Sequence, residues 1–328
     1  MSDRDAPGLL VASRMMLGLA QGIDERYEPF VLDEQGDPET FFERQGNRIV
    51  AALAVGEEPY DANRFDRLPN LRLIAVIGAG MGGIDLEEAT RRDIAVVNAG
   101  ELNAGDVADY AIALMFAYRR GVITHDRYVR DGKWIEARAP MTRSLSVEKV
   151  GILGLGSIGR QVAGRLAPFG CEVRWWGPHA KPDLAGQRME SPVVLADWAT
   201  TLVVAVAGND DTRGLVDADI LAALGADGLL VNVSRGYVVD EETMIAMLRD
   251  GRLGAAALDV LDTEPNDGSR FAGMDNVILA PHVAGATVEA LGAVVDSAVE
   301  NLRRLLDDEP LMRRANPVRT QDARPKGE

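Results

Sequence analysis

The sequence predicts an α/β protein whose parallel sheets are covered by helices on both faces. Three observations carry that expectation. Short, near-continuous apolar runs alternate with helical stretches along almost the whole chain, as strands buried on both faces do. At 328 residues the chain is long enough for two ordinary domains, each with its own core. A glycine-rich turn, Gly154-Leu155-Gly156-Ser157-Ile158-Gly159, falls between one such run and a helical stretch.

Taken in order, RIVAALA at 48–54, LRLIAV at 71–76 and IAVVN at 94–98 read as strands. Residues 85–92 and 106–120 read as helices, the second with a wide apolar face. Further apolar runs follow at 149–153, 172–176, 202–207, 228–233, 255–260 and 277–280, most of them joined by helical segments. There is no repeat of solenoid length, no low-complexity segment and no evident flexible linker.

Composition narrows the class. An apolar fraction of 47% and a charged fraction of 26% belong to a globular chain. A net charge of −16 argues against binding to nucleic acid or to an anionic membrane, since both need clustered Lys and Arg. A single cysteine, Cys171, rules out an intramolecular disulfide and any cysteine-cluster metal site, and no metal is expected. It reads as a buried thiol where a helix hands over to a strand. The start MSDRDAPG lacks the pattern of a signal peptide, and no apolar run approaches the ~20 residues of a membrane span. The expectation is a cytoplasmic protein.

The flanks give the glycine turn its meaning. Residues 149–153 form the strand before it, and 160–167 the helix after it, ended near Pro168 and Gly170. The first glycine permits a tight turn and the second lets backbone approach a pyrophosphate. The third allows close helix–strand packing, while the helix N-terminus supplies N–H donors and partial positive charge. Dinucleotide binding is therefore expected at Gly154, Gly156, Ser157, Ile158 and Gly159.

Candidate reactive groups fall at the carboxyl ends of other strands, where open α/β sheets bind ligands. Of three histidines, His125 lies on a helical stretch and reads as surface, and His179 follows the second strand of the nucleotide-binding unit. His282 ends a strand in APHVAG. A lone histidine is more often structural, but two more strand ends supply partners. NVSRG places Arg235 where a guanidinium could fork onto a carboxylate. LDVLDTEP supplies Asp259 and Glu264; Glu264 could pair with His282 and favour the form that carries the proton.

With these residues in view, the chain resembles the D-isomer-specific 2-hydroxyacid dehydrogenases. The resemblance runs through GLGSIG, NVSRGYVVDEETMIAMLRDGRLGAAALDVLDTEP and PHVAGAT, in family order. It extends to IGAGMGGIDLEEA, NAGELNAGDVADYAIAL and NLRRLLDDEPLMRRANP, and so covers nearly the whole chain. It implies two doubly wound parallel-sheet domains with a cleft between them. One is a flavodoxin-like substrate (lid) domain, residues 1–105 plus 293–328. The other is a Rossmann nucleotide-binding domain, residues 106–292, with the helix at 106–120 crossing the hinge.

The same resemblance assigns roles. Arg235 would hold the carboxylate and carbonyl of a small 2-oxo acid. His282 would give its proton to the carbonyl oxygen, oriented by Glu264. Asp259 would clamp the nicotinamide carboxamide, and Val107 would line that pocket. Val233, Ser234 and Gly285 would complete the cofactor contacts. The N–H groups of Ala79 and Gly80 would bind the substrate carboxylate from the opposite wall. The implied activity is NAD(P)-dependent reduction of a 2-oxo acid of the glyoxylate/hydroxypyruvate type to its D-2-hydroxy acid, by a homodimer formed through the cofactor domains.

Departures from the family qualify the assignment. NAD-preferring members place an aspartate at the end of the second strand; here Gly177 stands there, followed by His179 and Lys181. That leans the cofactor toward NADP(H), although the arginine common in NADP-using relatives is absent. Residues 205–210 (AVAGND) replace a proline-containing loop, and the segment at Trp134 lacks a second tryptophan found in many hydroxypyruvate reductases. No regulatory domain is expected after residue 328. An alternative reading is a nicotinamide-sensing, co-repressor-like binding protein on the same fold, which the joint presence of Arg235, Glu264 and His282 disfavours. Phosphite or formate oxidation is a third reading, without a sequence feature in its favour.

Overall fold

A computed structural model describes residues 6–181 and 186–318, which divide into two compact units. The first unit combines the chain up to Asn103 with the segment from Val288 on; the second is Ala104–Thr287.

In the first unit, strands β1 (Gly8–Val11), β2 (Glu28–Val31), β3 (Ile49–Ala54), β4 (Leu73–Val76) and β5 (Ala95–Val97) form a parallel sheet. Their order is β2-β1-β3-β4-β5. Helices α1 (Arg14–Leu19), α2 (Pro38–Gln45), α3 (Ala62–Asp66) and α4 (Leu86–Arg91) join them. Alternate strand residues feed two cores. Leu10, Ala52 and Ile74 pack on Phe41, Phe42 and Phe65 of α2 and α3. Leu9, Leu53, Leu73 and Val97 pack on Met16 of α1 and on Val295, Ala298, Leu302 and Leu305. Those last four belong to the C-terminal helix Val288–Leu306. Just beyond it, buried Asn316 accepts from the Val96 N–H at 2.9 Å and donates to the Ile94 carbonyl at 2.8 Å, tying the segment to β5.

The second unit opens with α5 (Ala104–Arg119) and α6 (Val122–Arg130). Then follow β6 (Lys149–Leu153), α7 (Ser157–Leu166), β7 (Glu172–Trp176), β8 (Gln187–Arg188), α8 (Pro192–Trp198) and β9 (Thr201–Val204). It ends with α9 (Ala218–Leu224), β10 (Leu229–Asn232), α10 (Glu241–Asp250), β11 (Ala255–Leu258) and β12 (Val277–Leu279). All seven strands are parallel, in the order β12-β11-β10-β9-β6-β7-β8. The chain runs outward in one direction from β6 and then restarts at β9 in the other. This reversal beside β6 opens a crevice at the carboxyl ends of the strands. One face is covered by α5 and α7 over Ile152, Val203, Val231 and Ala257. The other is covered by α8, α9 and α10 over Leu202, Val204, Leu230 and Leu258.

The amino ends of these strands are closed instead. Buried Arg119 donates to the Thr200 carbonyl and the Thr201 hydroxyl and pairs with buried Glu148 at 3.2 Å. Cys171 is half-buried and its thiol donates to the Leu145 carbonyl at 3.3 Å.

The structure differs from the sequence reading in a few elements, each for a local reason. β1 (GLLV) and β2 (EPFV) were not foreseen: each is four residues long and carries a Gly or a Pro. The run expected at 202–207 stops as a strand at Val204, because the chain then turns to lay Val206 against Gly154. The helix expected from residue 160 already starts at Ser157, inside the glycine motif. Among the described residues no helix is long and apolar enough to cross a membrane. Nor, among them, does any group of three or more His, Cys, Asp or Glu side chains stand ready to hold a metal ion.

Candidate active site

The glycine turn joins β6 to α7 at the reversal point. Gly154 has φ +99°, a left-handed value that disfavours a side chain, and a Cβ there would stand 2.7 Å from the Val206 nitrogen. A Cβ on Gly159 would meet the Gly154 carbonyl oxygen at 2.1 Å, so α7 rests directly on the turn. Gly156, between them, faces open space, with no atom within 4 Å of an added Cβ. Helices α1 to α4 and α8 to α10 are each capped by a Ser or Asp side chain, whereas α7 begins at Gly156 with none. The first N–H groups of α7, from Ser157 and Ile158, are therefore left for an anion, and the cradle fits a pyrophosphate.

At the end of β7, Gly177 is buried while His179 is exposed. The Lys181 ammonium reaches back to the Leu155 carbonyl in the glycine turn, at 2.6 Å. Its neighbour across the strand end, Arg188 on β8, was not singled out from sequence. It donates to the Gly177 carbonyl through Nε at 3.1 Å and Nη2 at 2.8 Å.

Arg235 follows β10 in a turn organised by a buried residue that the sequence reading passed over. Asn232, 1% exposed, accepts from the Ser234 N–H at 3.0 Å and donates to the Arg235 carbonyl at 3.1 Å. Ser234 and Val233 are themselves buried, and the Ser234 hydroxyl donates to the Val206 carbonyl at 2.7 Å. Arg235 is half-exposed; its Nη1 donates to the Ser234 carbonyl at 2.8 Å, and no described carboxylate pairs with it. Gly236 makes the next strand end close by, since a Cβ on it would overlap the Leu261 carbonyl at 1.9 Å.

That next loop carries the two acids. Glu264 accepts from the Leu261 N–H through Oε1 at 2.9 Å and contacts His282 Nδ1 through Oε2 at 2.6 Å. An ionised carboxylate can only accept, so Nδ1 carries the hydrogen in this pair and Nε2 is left for other partners. Glu241 at the start of α10 accepts from the Asp262 N–H at 2.9 Å and holds the loop from below. His282 follows β12 with φ +54°, a left-handed conformation unusual for a residue with a side chain. Its backbone is held there by Asp259. The Asp259 carbonyl accepts from the His282 N–H at 2.8 Å. The two carboxylate oxygens accept from the N–H groups of Val283 and Ala284 at 2.8 and 2.9 Å.

Arg235, Asp259, Glu264 and His282 thus stand at the carboxyl ends of three neighbouring strands, β10, β11 and β12. Gly285 continues the His282 loop, and Thr287 donates to Asp106 on α5 at 2.8 Å. Val107, one residue on, is buried in the same cluster as Ala284. In the first unit, Ala79 and Gly80 follow β4. The Ala79 carbonyl accepts from Asn98 at 2.8 Å, and the two N–H groups donate to no described residue.

A reversed parallel sheet, an uncapped glycine turn and a histidine–carboxylate pair at the strand ends define a class: dehydrogenases that use a nicotinamide dinucleotide. Comparison with known proteins makes the class specific. The model of the D-isomer specific 2-hydroxyacid dehydrogenase NAD binding domain matches residues 112–284. The 2-ketogluconate reductase of Gluconobacter oxydans is 42% identical over 248 residues, which are 76% of this chain and 80% of that protein. Glyoxylate/hydroxypyruvate reductase A of Arabidopsis thaliana is 37% identical over 90% of this chain and 94% of its own. A crystal structure of the NADPH-dependent glyoxylate/hydroxypyruvate reductase of Sinorhizobium meliloti, with NADP and malonate, superposes with a TM-score of 0.87. It is 29% identical and covers 96% of this chain and 98% of the other. The chain belongs to the D-isomer-specific 2-hydroxyacid dehydrogenase family, whose members are NAD(P)-dependent oxidoreductases acting on CH–OH groups. These comparisons give no support to the co-repressor-like alternative.

The geometry of Asp259 yields a stability prediction. Asp259→Ala leaves two N–H groups of the His282 loop without their charged acceptor and is expected to destabilise the protein by about 2–4 kcal/mol. Urea unfolding followed by circular dichroism measures this, with Asp259→Asn expected to fall between the two. A midpoint equal to wild type for Asp259→Ala would show that the carboxylate does not hold the loop.

Proposed function

We propose that this enzyme reduces a small 2-oxo acid of the glyoxylate/hydroxypyruvate type to its D-2-hydroxy acid, with His282 as the proton donor. The observation that carries the proposal is the 2.6 Å contact between His282 Nδ1 and Glu264, which leaves Nε2 free of described partners. The names of relatives support the substrate class: a 2-ketogluconate reductase and a glyoxylate/hydroxypyruvate reductase. The glycine turn with Asp259, Val107, Val233, Ser234 and Gly285 would hold a reduced nicotinamide dinucleotide, which when bound would supply the hydride. Arg235 takes the substrate carboxylate and carbonyl oxygen through its planar fork. His282 Nε2 gives its proton to the carbonyl oxygen as the alkoxide develops. Glu264 stabilises the imidazolium beforehand and afterwards keeps the neutral ring oriented through Nδ1–H.

The same proposal gives NADP(H) precedence over NAD(H). Gly177 offers no carboxylate to bind ribose hydroxyls or to repel a 2′-phosphate, and Lys181 lies across the glycine turn. The S. meliloti relative is NADPH-dependent. A homodimer formed through the second unit completes the reading, supported by exposed apolar side chains between α6 and β6: Trp134 at 67%, Ile135 at 93% and Met141 at 99%. Cytoplasmic residence is part of the proposal too, in keeping with a single cysteine that can form no intramolecular disulfide.

His282→Ala is expected to lower kcat for glyoxylate or hydroxypyruvate by roughly 10²–10⁴-fold with cofactor affinity unchanged. Arg235→Lys is expected to raise KM strongly and lower kcat as well, because an ammonium cannot reproduce the fork. Steady-state kinetics with a panel of 2-oxo acids decides both; His282→Ala activity within twofold of wild type rejects the donor assignment. For the cofactor, kcat/KM is expected to be higher with NADPH than with NADH, and Gly177→Asp to reverse the order by about 5–150-fold. A wild-type ratio well below one refutes the preference. For assembly, Ile135→Asp with Met141→Asp is expected to convert a dimer to a monomer in sedimentation velocity, and a wild-type monomer would remove the dimer from the reading.

A further inference from the structure

The second strand of a dinucleotide-binding unit normally ends with the residue that reads the adenosine ribose. Here that residue is Gly177, and no arginine lies within the strand end itself. The fold supplies one from the neighbouring edge strand. β8 pairs in parallel with β7, with Arg188 opposite Trp175, two residues before Gly177. From there the guanidinium folds over the carboxyl end of β7, donating twice to the Gly177 carbonyl and, at 3.4 Å, to that of Pro178. Its carbon stands 6.0 Å from the centre of the Trp175 ring, which backs it on one side.

We propose that Arg188 is the residue that reads the 2′-phosphate of NADP(H). The inference rests on the cofactor preference proposed above and gives it a side chain. Three observations support it. Among the described residues no carboxylate pairs with Arg188, and its Nη1 donates to none of them. The other arginine of this edge, Arg174, is already engaged by Glu172 at 2.9 Å and lies over Trp198 at 4.4 Å. Finally, Lys181, also without a described carboxylate partner, brings a second cation to the Leu155 carbonyl across the same strand ends. In a chain of net charge −16, two uncompensated cations flanking the ribose-reading position suit a phosphate dianion. The carbonyl contacts hold the guanidinium in place while leaving the Nη1 hydrogens for phosphate oxygens. Such a pre-set fork discriminates a 2′-phosphate from a 2′-hydroxyl by charge as well as by geometry.

The test is calorimetric titration of the full chain with 2′,5′-ADP, which carries the 2′-phosphate, and with 5′-AMP, which lacks it. Wild type is expected to bind 2′,5′-ADP more tightly. Arg188→Ala and Arg188→Met are expected to weaken 2′,5′-ADP roughly 10–100-fold while leaving 5′-AMP within twofold. Arg188→Met keeps the apolar stem on Trp175 and so guards against a loss of edge packing, and unchanged 5′-AMP binding reports an intact fold. Equal binding of the two nucleotides by wild type overturns the cofactor preference itself, and Arg188's role with it. A wild-type preference for 2′,5′-ADP that both variants retain overturns only the role of Arg188.

Discussion

The buried carboxylate of Asp259 is the joint on which the candidate site turns. It is 2% exposed, and a charge so placed is stable only if its oxygens are well bonded. Val283 and Ala284 meet that need with backbone N–H groups, and the Asp259 carbonyl takes the N–H of His282. Three consecutive amides from the end of β12 are thereby gathered by one residue at the end of β11. The left-handed backbone of His282 follows from this gathering, as does the approach of its Nδ1 to Glu264, five residues beyond Asp259 in the same loop. A role toward a nicotinamide carboxamide, as the family resemblance implies, would use lone pairs that these bonds leave over.

The two edges of the second sheet are built for different ends. At the amino edge Arg119 and Glu148 neutralise one another in a buried pair, to whose carboxylate Thr201 donates. At the carboxyl edge charges are left unneutralised by described partners: Arg235 after β10, Arg188 at β8 and Lys181 near the glycine turn. Parallel strands make that asymmetry available, since every loop that follows a strand emerges on the same side. Leaving cations unpaired costs stability, and the clamp on the opposite edge belongs to the scaffold that sustains it.

Much of this was legible in the sequence wherever one local pattern has one physical cause. The glycine turn is such a case: Gly154 needs its positive φ, and Gly159 leaves no room for a Cβ, so both identities announce the geometry. The central strands of the second sheet, β6, β9, β10 and β11, were legible for the same reason, being apolar on both faces. Residues whose purpose lies in a contact across the fold were not. Asn232 looks like the end of a strand until its side chain is seen bridging Ser234 and Arg235. Glu241 looks like an ordinary first-turn acid on α10, yet its carboxylate holds the Asp262 N–H. Gly236 announces only a turn; that it admits the Leu261 backbone depends on a loop that comes later in the chain. Arg188 is separated from Gly177 in sequence and reaches it only through the pairing of β7 with β8. The strands β1 and β2 were missed because each is short and carries a Gly or a Pro, and β8 because its two residues are polar and exposed.

The return of the C-terminal helix to the first unit has a consequence for biosynthesis. Strands β1 to β5 leave the ribosome well before Val295, Ala298, Leu302 and Leu305, which cover one face of their sheet. Between them lies Ala104–Thr287, whose translation at about 5–20 residues per second takes about 10–40 s. For that interval the alternate face carrying Leu9, Leu53 and Leu73 has α1 but not its larger cover. The second unit, by contrast, is one continuous stretch and needs nothing made after Thr287. The nascent chain therefore completes its second unit before the sheet that precedes it, and a chaperone would find its apolar target on β1, β3 and β4.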